Sequence, residues 1–378
     1  MSKILIRYLE PYIENDLKTK MVFLGGPRQV GKTTLAHSLI KNYRDEHPAY
    51  LNWDNNEHKK KIKEKQWPKN EPLIVLDEIH KFKKWRNLVK GFYDTLKNTH
   101  SFLVTGSARL DHFRKGGDSL LGRYHYYRLH PYSLPELKYK VKSIEQLLKF
   151  GGFPEPYTMA NERNLRRWHL QRLSRLIRTD LRDWEDVKDL DKIYALAEEL
   201  PNRVGSPLSI NSLSNDIEVD FKTIKRWLNI LSSLYYSYQI APYGSSKIRA
   251  VKKEQKLYLW DWSQIENPGF RFENMVASHL LKYCHFTEDV EGYPMELRFL
   301  RDTDKREVDF VILKNKKPLF AVECKHGEKS VSPHLFYFRQ RTPIPHFYQV
   351  HLGTTHKQVN DQISLLPFEA FCKTVHLV

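Results

Sequence analysis

Apolar positions recur along the chain at two spacings, and the changes between them mark its elements. In residues 1–20, Ile4, Leu5, Tyr8, Leu9 and Tyr12 fall at helical intervals, predicting an amphipathic helix that packs onto the strand after it. That strand is the apolar run Met21 to Leu24. A glycine-rich stretch separates it from Leu35 to Ile40, which reads as a helix. Leu73-Ile74-Val75-Leu76 is a continuous apolar run ending in Asp77 and Glu78, the mark of a buried parallel strand, and Ser101 to Thr105 predicts a third.

Residues 158–200 are charged and helical in period, with Leu165, Trp168, Leu173, Leu176, Ile177 and Leu181 forming the apolar stripe. From Ser209 a short helix with Leu213 and Ile217 is followed by a turn at Glu218 to Asp220. A longer helix then carries Phe221, Ile224, Leu228 and Leu231 on one face. Strand-like runs Tyr236 to Ala241 and Lys256 to Trp260 flank a basic loop, so the region reads as a winged helix-turn-helix with Asp220 as helix N-cap. A helix near Arg271 to Lys282 precedes two strand patterns, Glu307 to Leu313 and Leu319 to Lys325.

Length adds that several domains share the 378 residues, and composition that they have cores: 40% of residues are hydrophobic and 13% aromatic. A formal charge of +17 points to a polyanionic partner, with nucleic acid favoured over membrane because no basic amphipathic anchor stands out. The three widely spaced cysteines, Cys284, Cys324 and Cys372, argue against a disulfide framework or a cysteine zinc site. With no apolar span long enough to cross a bilayer, a soluble cytoplasmic protein is expected.

The glycine-rich stretch carries the first chemistry. Gly26 to Thr33 is G-x-x-x-x-G-K-T between a strand and a helix, the context of a phosphate-binding loop. Gly26, Pro27, Arg28, Gln29, Val30, Gly31, Lys32, Thr33 and Thr34 are the expected contacts to ATP. Lys32 reaches the β- and γ-phosphates and Thr33 ligates Mg²⁺. Asp77 is expected to support the same Mg²⁺, and Glu78 to act as base toward the attacking water. Thr105 or Ser107 is placed to sense the γ-phosphate. Arg109 and Arg123 are candidate cations for the transition state, supplied in cis or by a neighbouring subunit of a homo-oligomer, or else ordinary arginines.

Gly25 to Thr34, LDEIHKFKKW (Leu76 to Trp85), TGSARL (Thr105 to Leu110), SLLGRYHYYRLHPYSLPEL (Ser119 to Leu137) and GGFPEPY (Gly151 to Tyr157) together resemble a family of prokaryotic AAA+-type ATPases. That family carries a C-terminal domain of restriction-endonuclease-like fold. The resemblance covers nearly the whole chain and implies a P-loop ATPase core over 1–140, a helical lid over 141–205 and a nuclease-like α/β domain over 263–378. With the winged helix-turn-helix that the apolar pattern predicts over 206–262, the expectation is an α/β protein in four parts.

The second chemistry lies in that last part. Period-2 geometry puts Glu323 and Lys325 on one side of a strand and Cys324 on the other. Asp309 on the preceding strand and Glu273 on the helix complete what a metal-dependent phosphodiesterase needs: carboxylates to hold Mg²⁺ and a lysine, Lys325, to orient the activated water. The set resembles the PD-(D/E)xK nuclease motif, with Val308 where the motif has proline, and Gln340 is a further candidate DNA contact. A nuclease fold that only binds DNA is the alternative.

For DNA contact the candidates are Lys222, Thr223, Lys225 and Arg226 on the second helix and Lys247, Arg249, Lys252 and Lys253 in the wing. Winged helices also dock proteins. Arg172, Arg175 and Arg178 would lie along phosphates or solvate a helix face. The expected function is a DNA-dependent ATPase coupled to Mg²⁺-dependent cleavage of duplex or branched DNA. The alternative is an ATP-controlled DNA- or protein-binding switch, or a DNA motor, with a non-cleaving nuclease-like domain.

Overall fold

The computed structural model describes residues 5–41, 46–106, 110, 120–138, 141–181, 189–244 and 254–378, with backbone alone at 141–143 and 179–180. Ser107, Arg109, Lys247, Arg249, Lys252 and Lys253 lie outside the described residues. The chain divides into two compact units, residues 1–131 and 132–378.

In the first unit, strands β1 (Met21–Gly25), β2 (Tyr50–Asn52), β3 (Leu73–Asp77), β4 (Ser101–Thr105) and β5 (Tyr124–Arg128) form a sheet in the order β2-β3-β4-β1-β5, with every pairing parallel. Helices α1 (Glu10–Asp16), α2 (Lys32–Leu39), α3 (Asn56–Glu64) and α4 (Trp85–Leu96) connect and flank the strands. Parallel strands covered on both faces must be apolar throughout, and β1 is buried at all five positions. Phe23, Ile74, Leu76, Phe102 and Val104 pack with Trp85, Val89 and Phe92 of α4. The N-terminal helix is shorter than the 1–20 expected. It begins at Glu10 with proline in its first turn, where a missing N–H costs nothing, and Arg7 just before it is buried.

The second unit continues with α5 (Val141–Phe150), α6 (Pro154–Met159), α7 (Glu162–Arg175), α8 (Leu190–Glu199), α9 (Ile210–Ile217), α10 (Phe221–Ser233) and α11 (Pro268–Phe286). The expected stripe from Leu165 to Leu181 is buried. Strands β6 (Ser237–Pro242), β7 (Lys256–Leu259), β8 (Met295–Arg301), β9 (Glu307–Lys314), β10 (Lys317–Lys325), β11 (Phe347–His351), β12 (Lys357–Asn360) and β13 (Ile363–Pro367) form one sheet in the order β12-β13-β11-β10-β9-β8-β6-β7. Helices α12 (Pro333–Arg339) and α13 (Phe368–Thr374) follow β10 and β13.

Two boundaries differ from expectation. The first unit ends before residue 140, because Ser133 to Leu137 is fastened to α11: Leu134 N–H donates to His279 Nε2 at 3.0 Å, and Lys282 Nζ donates to Ser133 Oγ at 2.8 Å and pairs with Glu136. Nor does the sheet break near 262. β6 pairs with β7 antiparallel and with β8 in parallel (Ala241 with Arg298, Pro242 with Phe299), so the two strands after the helix pair extend the C-terminal sheet.

Candidate functional sites: a phosphate loop and a buried carboxylate cluster

The first site forms where β1 ends. Gly26 takes φ 138°, and a Cβ there would lie 2.5 Å from the Leu129 carbonyl oxygen. Gly31, the residue before α2, takes φ 97°. Both positions require glycine, and they turn the loop so that the α2 N-terminus faces the space beyond the strand ends. Lys32 is buried and folds back, its Nζ donating to the carbonyls of Gly26 at 2.9 Å and Pro27 at 2.7 Å. Arg7, which the sequence reading passed over, braces the loop by donating to the carbonyls of Val30 at 2.8 Å and of His130.

Asp77 ends β3, two strands from β1 with β4 between them, and is 4% exposed. Thr33 Oγ1 donates to its Oδ2 at 3.2 Å, Tyr50 OH to the same oxygen at 2.5 Å, and Thr105 Oγ1 to Oδ1. A hydroxyl and a carboxylate meeting at the C-terminal edge of a parallel sheet are an all-oxygen pair that suits Mg²⁺. The donor set thus fits the metal expected here. Thr105, which with Ser107 as alternative was expected to sense phosphate, donates its hydroxyl to Asp77, because Asp77 and Thr105 are directly paired across β3 and β4. Tyr50 was missed because β2 is only three residues long and carries no motif; the alternation Ala49, Leu51, Trp53 was the available signal.

Glu78 takes φ 56° and donates its N–H to the Thr105 carbonyl at 3.0 Å. Its buried Oε2 makes no hydrogen bond. Lys81 Nζ lies 3.4 Å from it and His80 Nε2 3.7 Å. Arg123, a candidate transition-state cation in cis or from a neighbouring subunit, lies away from the phosphate loop of its own chain. Its carbonyl accepts from Met21 N–H at the opening of β1, the opposite end of the sheet from the phosphate loop. About 13 Å of strand separates the ends, and the guanidinium holds Asp94 at 2.8 and 3.3 Å.

The second site lies in the second unit. Glu323 and Lys325 do share a strand face, Lys325 Nζ donating to Glu323 Oε1 at 2.6 Å. Asp309 Oδ2 accepts from Cys324 N–H at 2.8 Å, and Glu273 sits at 8% exposure on α11. The sequence reading missed Lys256. This fully buried lysine of β7 places Nζ 3.4 Å from Glu273 Oε1 and 3.6 Å from Asp309 Oδ1, and in contact with Glu307. Tyr258, two residues on and therefore on the same strand face, donates to Glu273 Oε1 at 2.7 Å.

Burial, then the neighbouring Asp309 charge, pushes the Glu273 and Glu323 carboxyls above their ordinary range. Burial would lower Lys256, but Glu273, Asp309 and Glu307 hold it charged and well above the ordinary lysine value. Among the described residues no three His, Cys, Asp or Glu side chains are grouped to hold a metal ion. Glu273, Asp309 and Glu323, the expected Mg²⁺ ligands, each accept a hydrogen bond from a protein donor: Tyr258, the Cys324 N–H and Lys325.

Helices α9 and α10 form the expected pair, with Asp220 capping α10 through the N–H groups of Lys222 at 2.8 Å and Thr223 at 3.1 Å. Lys222, Lys225 and Arg226 are exposed and Thr223 half-buried. Arg175 and Arg178 are also exposed. Arg172 is not; it is buried over the Phe153 ring at 4.4 Å and donates to the Tyr235 carbonyl at 3.2 Å. Gln340 is the C-cap just after α12, its Oε1 accepting from Arg341 at 3.4 Å. No described helix is long and apolar enough to cross a membrane.

Residues 18–138 match the family model described as an AAA domain, and residues 141–265 and 268–371 match two domains of unknown function, DUF8612 and DUF4143. The uncharacterized protein MJ1637 of Methanocaldococcus jannaschii is 25% identical over 391 residues, covering 86% of this chain and 80% of the relative. MJ1544 of the same organism is 24% identical over 355 residues, covering 82% and 77%. Among solved structures, the Thermotoga maritima RuvB Holliday junction branch migration motor shares 17% identity at a TM-score of 0.31, over 61% of this chain and 87% of that one. The Pyrococcus horikoshii signal transduction ATPase with numerous domains PH0952 shares 13% at 0.26, over 74% and 45%. Neither structural likeness is close enough to carry an argument. The AAA match and the loop geometry together support an AAA-type P-loop ATPase domain in the first unit.

Proposed function

We propose that this chain is an ATP-hydrolysing, DNA-associated binding switch. The observation that carries the reading is the posture of Lys32. Its ammonium rests on the Gly26 and Pro27 carbonyls, inside the loop that phosphates would enter, so nucleotide binding must redirect a buried side chain. Lys32 then binds the β- and γ-phosphates, while the loop N–H groups and the α2 N-terminus orient them. Mg²⁺, when bound by Thr33 and Asp77, offsets phosphate charge. Tyr50 and Thr105 keep the Asp77 carboxylate aimed. Glu78, with a buried oxygen that makes no hydrogen bond, takes the proton of the attacking water.

Arg123 cannot serve its own site from the far end of β5, so its transition-state role belongs to a neighbouring copy in a homo-oligomer. DNA association is supported by the +17 charge and by the exposed Lys222, Lys225 and Arg226 on a capped helix that follows a tight turn. Helix α11, the antiparallel strands β8, β9 and β10, helix α12 and the parallel strand β11 support a nuclease-like fold in the second unit. That domain holds DNA without cleaving it.

Turnover of ATP by wild type, Lys32→Ala and Glu78→Gln tests the catalytic half. Lys32→Ala should lose binding and hydrolysis together, whereas Glu78→Gln should bind ATP and fail to hydrolyse it. Wild-type turnover in Glu78→Gln would remove Glu78 as the base.

A further inference from the structure

We infer that Lys256 is a built-in cation that takes the place of a metal ion in the C-terminal carboxylate cluster, making the cluster a lock between elements of the fold. Glu273 comes from α11, Glu307 and Asp309 from one face of β9, and the lysine from β7. One ammonium therefore ties three elements together.

The surrounding contacts leave these carboxylates committed. Glu273 Oε1 receives Lys256 and Tyr258. Its Oε2 is covered by the turn at Gly205, where φ is +80° and a Cβ would lie 3.3 Å from that oxygen. Asp309 faces Lys256 through Oδ1 and the Cys324 N–H through Oδ2. Glu323 is paired with Lys325. Mg²⁺ would need carboxylate oxygens at about 2.0–2.1 Å in near-octahedral order, and Lys256 already lies against three of the four acids. Two such cations would repel each other in a poorly screened interior.

Lys256 and Tyr258 both project from β7 toward Glu273, so the strand that follows the helix pair is fixed to α11 through side chains as well as through the sheet. A residue read from sequence as the edge of a basic wing is thus the charge partner of the acids read as a metal centre.

The test uses the full-length protein stripped of nucleotide and metal, titrated with Mn²⁺ and followed by the electron paramagnetic resonance signal of the free ion. Asp309→Asn and Glu323→Gln are run beside it. The expected result is one isotherm for all three proteins, with no micromolar site. A wild-type site that weakens by roughly tenfold or more in either variant overturns the inference.

Lys256→Gln supplies the converse. Without the ammonium the carboxylates face one another, so its melting temperature should fall. Millimolar Mn²⁺ should then raise that temperature by more than it raises wild type. Equal stability, or equal Mn²⁺ shifts, counts against the inference, and if Lys256→Gln does not fold the wild-type isotherm still decides. ATP turnover on the same samples reports separately on the first unit.

Discussion

His279 makes the second unit acid-sensitive in a way that can be worked out in advance. The ring is buried on α11. Nδ1 faces the Met275 carbonyl at 2.7 Å and Nε2 faces the Leu134 N–H at 3.0 Å, so the first must donate and the second accept. A proton added at Nε2 would set two donors against each other. Burial is the largest cause lowering the group, with the nearby Lys282 charge adding to it, from an ordinary 6.5 to about 4. The unfolded chain therefore binds this proton more readily between those values. The contribution to stability is fully present above pH 6.5 and is lost as pH falls toward 4.

The gap corresponds to about 2 kcal/mol lost by about pH 5 and ~3 kcal/mol below about pH 4. Urea unfolding from neutral pH downward, for wild type and His279→Leu, measures it: wild type should show the extra pH slope and the variant should lack it. Parallel curves, or a ring proton resonance that titrates near the ordinary histidine value, would refute the reasoning.

Three further outcomes follow from named contacts. Tyr50→Phe removes a hydrogen bond to a carboxylate and should cost about 1.5–3 kcal/mol in urea unfolding, while raising the Mg²⁺ needed for half-maximal turnover; unchanged values would mean that the phenol does not hold Asp77. Arg123→Ala should lower turnover by about 10³-fold or more without weakening nucleotide binding. Mixing it with Lys32→Ala should restore part of the rate, since an intact arginine then meets an intact loop, and no recovery would exclude the neighbour role. Replacing Lys222 and Lys225 by alanine should reduce the logarithmic salt slope of DNA binding by about 2, and an unchanged slope would place the DNA elsewhere.

The phosphate loop was legible because its chemistry is local: Gly26 to Thr33 are neighbours in sequence, and the flanking strand and helix are visible in the apolar pattern. Asp77, which meets Thr33, was legible from the apolar run that it ends. What sequence could not supply was which strands become neighbours. Periodicity tells which residues share a face of one strand, and it correctly joined Glu323 to Lys325. It says nothing of the long-range pairing that puts Thr105 on Asp77, or Arg123 at the far edge of the sheet.

Lys256 shows the same limit more sharply. In sequence it opens the strand-like run Lys256 to Trp260 beside a basic loop, with nothing to single it out. Only the pairing of β6 with both β7 and β8 carries it into the core, and there a buried charge requires partners. Arg172 was misread for a related reason, since a long side chain on the margin of an apolar stripe can turn inward over aromatic rings.

The most direct test of the switch is the affinity of Glu78→Gln for a DNA duplex at fixed salt, measured with saturating ATP and with saturating ADP. The two affinities should differ by about tenfold or more, with the same difference absent in Lys32→Ala. Equal affinities in the two nucleotide states would contradict the switch and leave an ATPase whose turnover does not govern its hold on DNA.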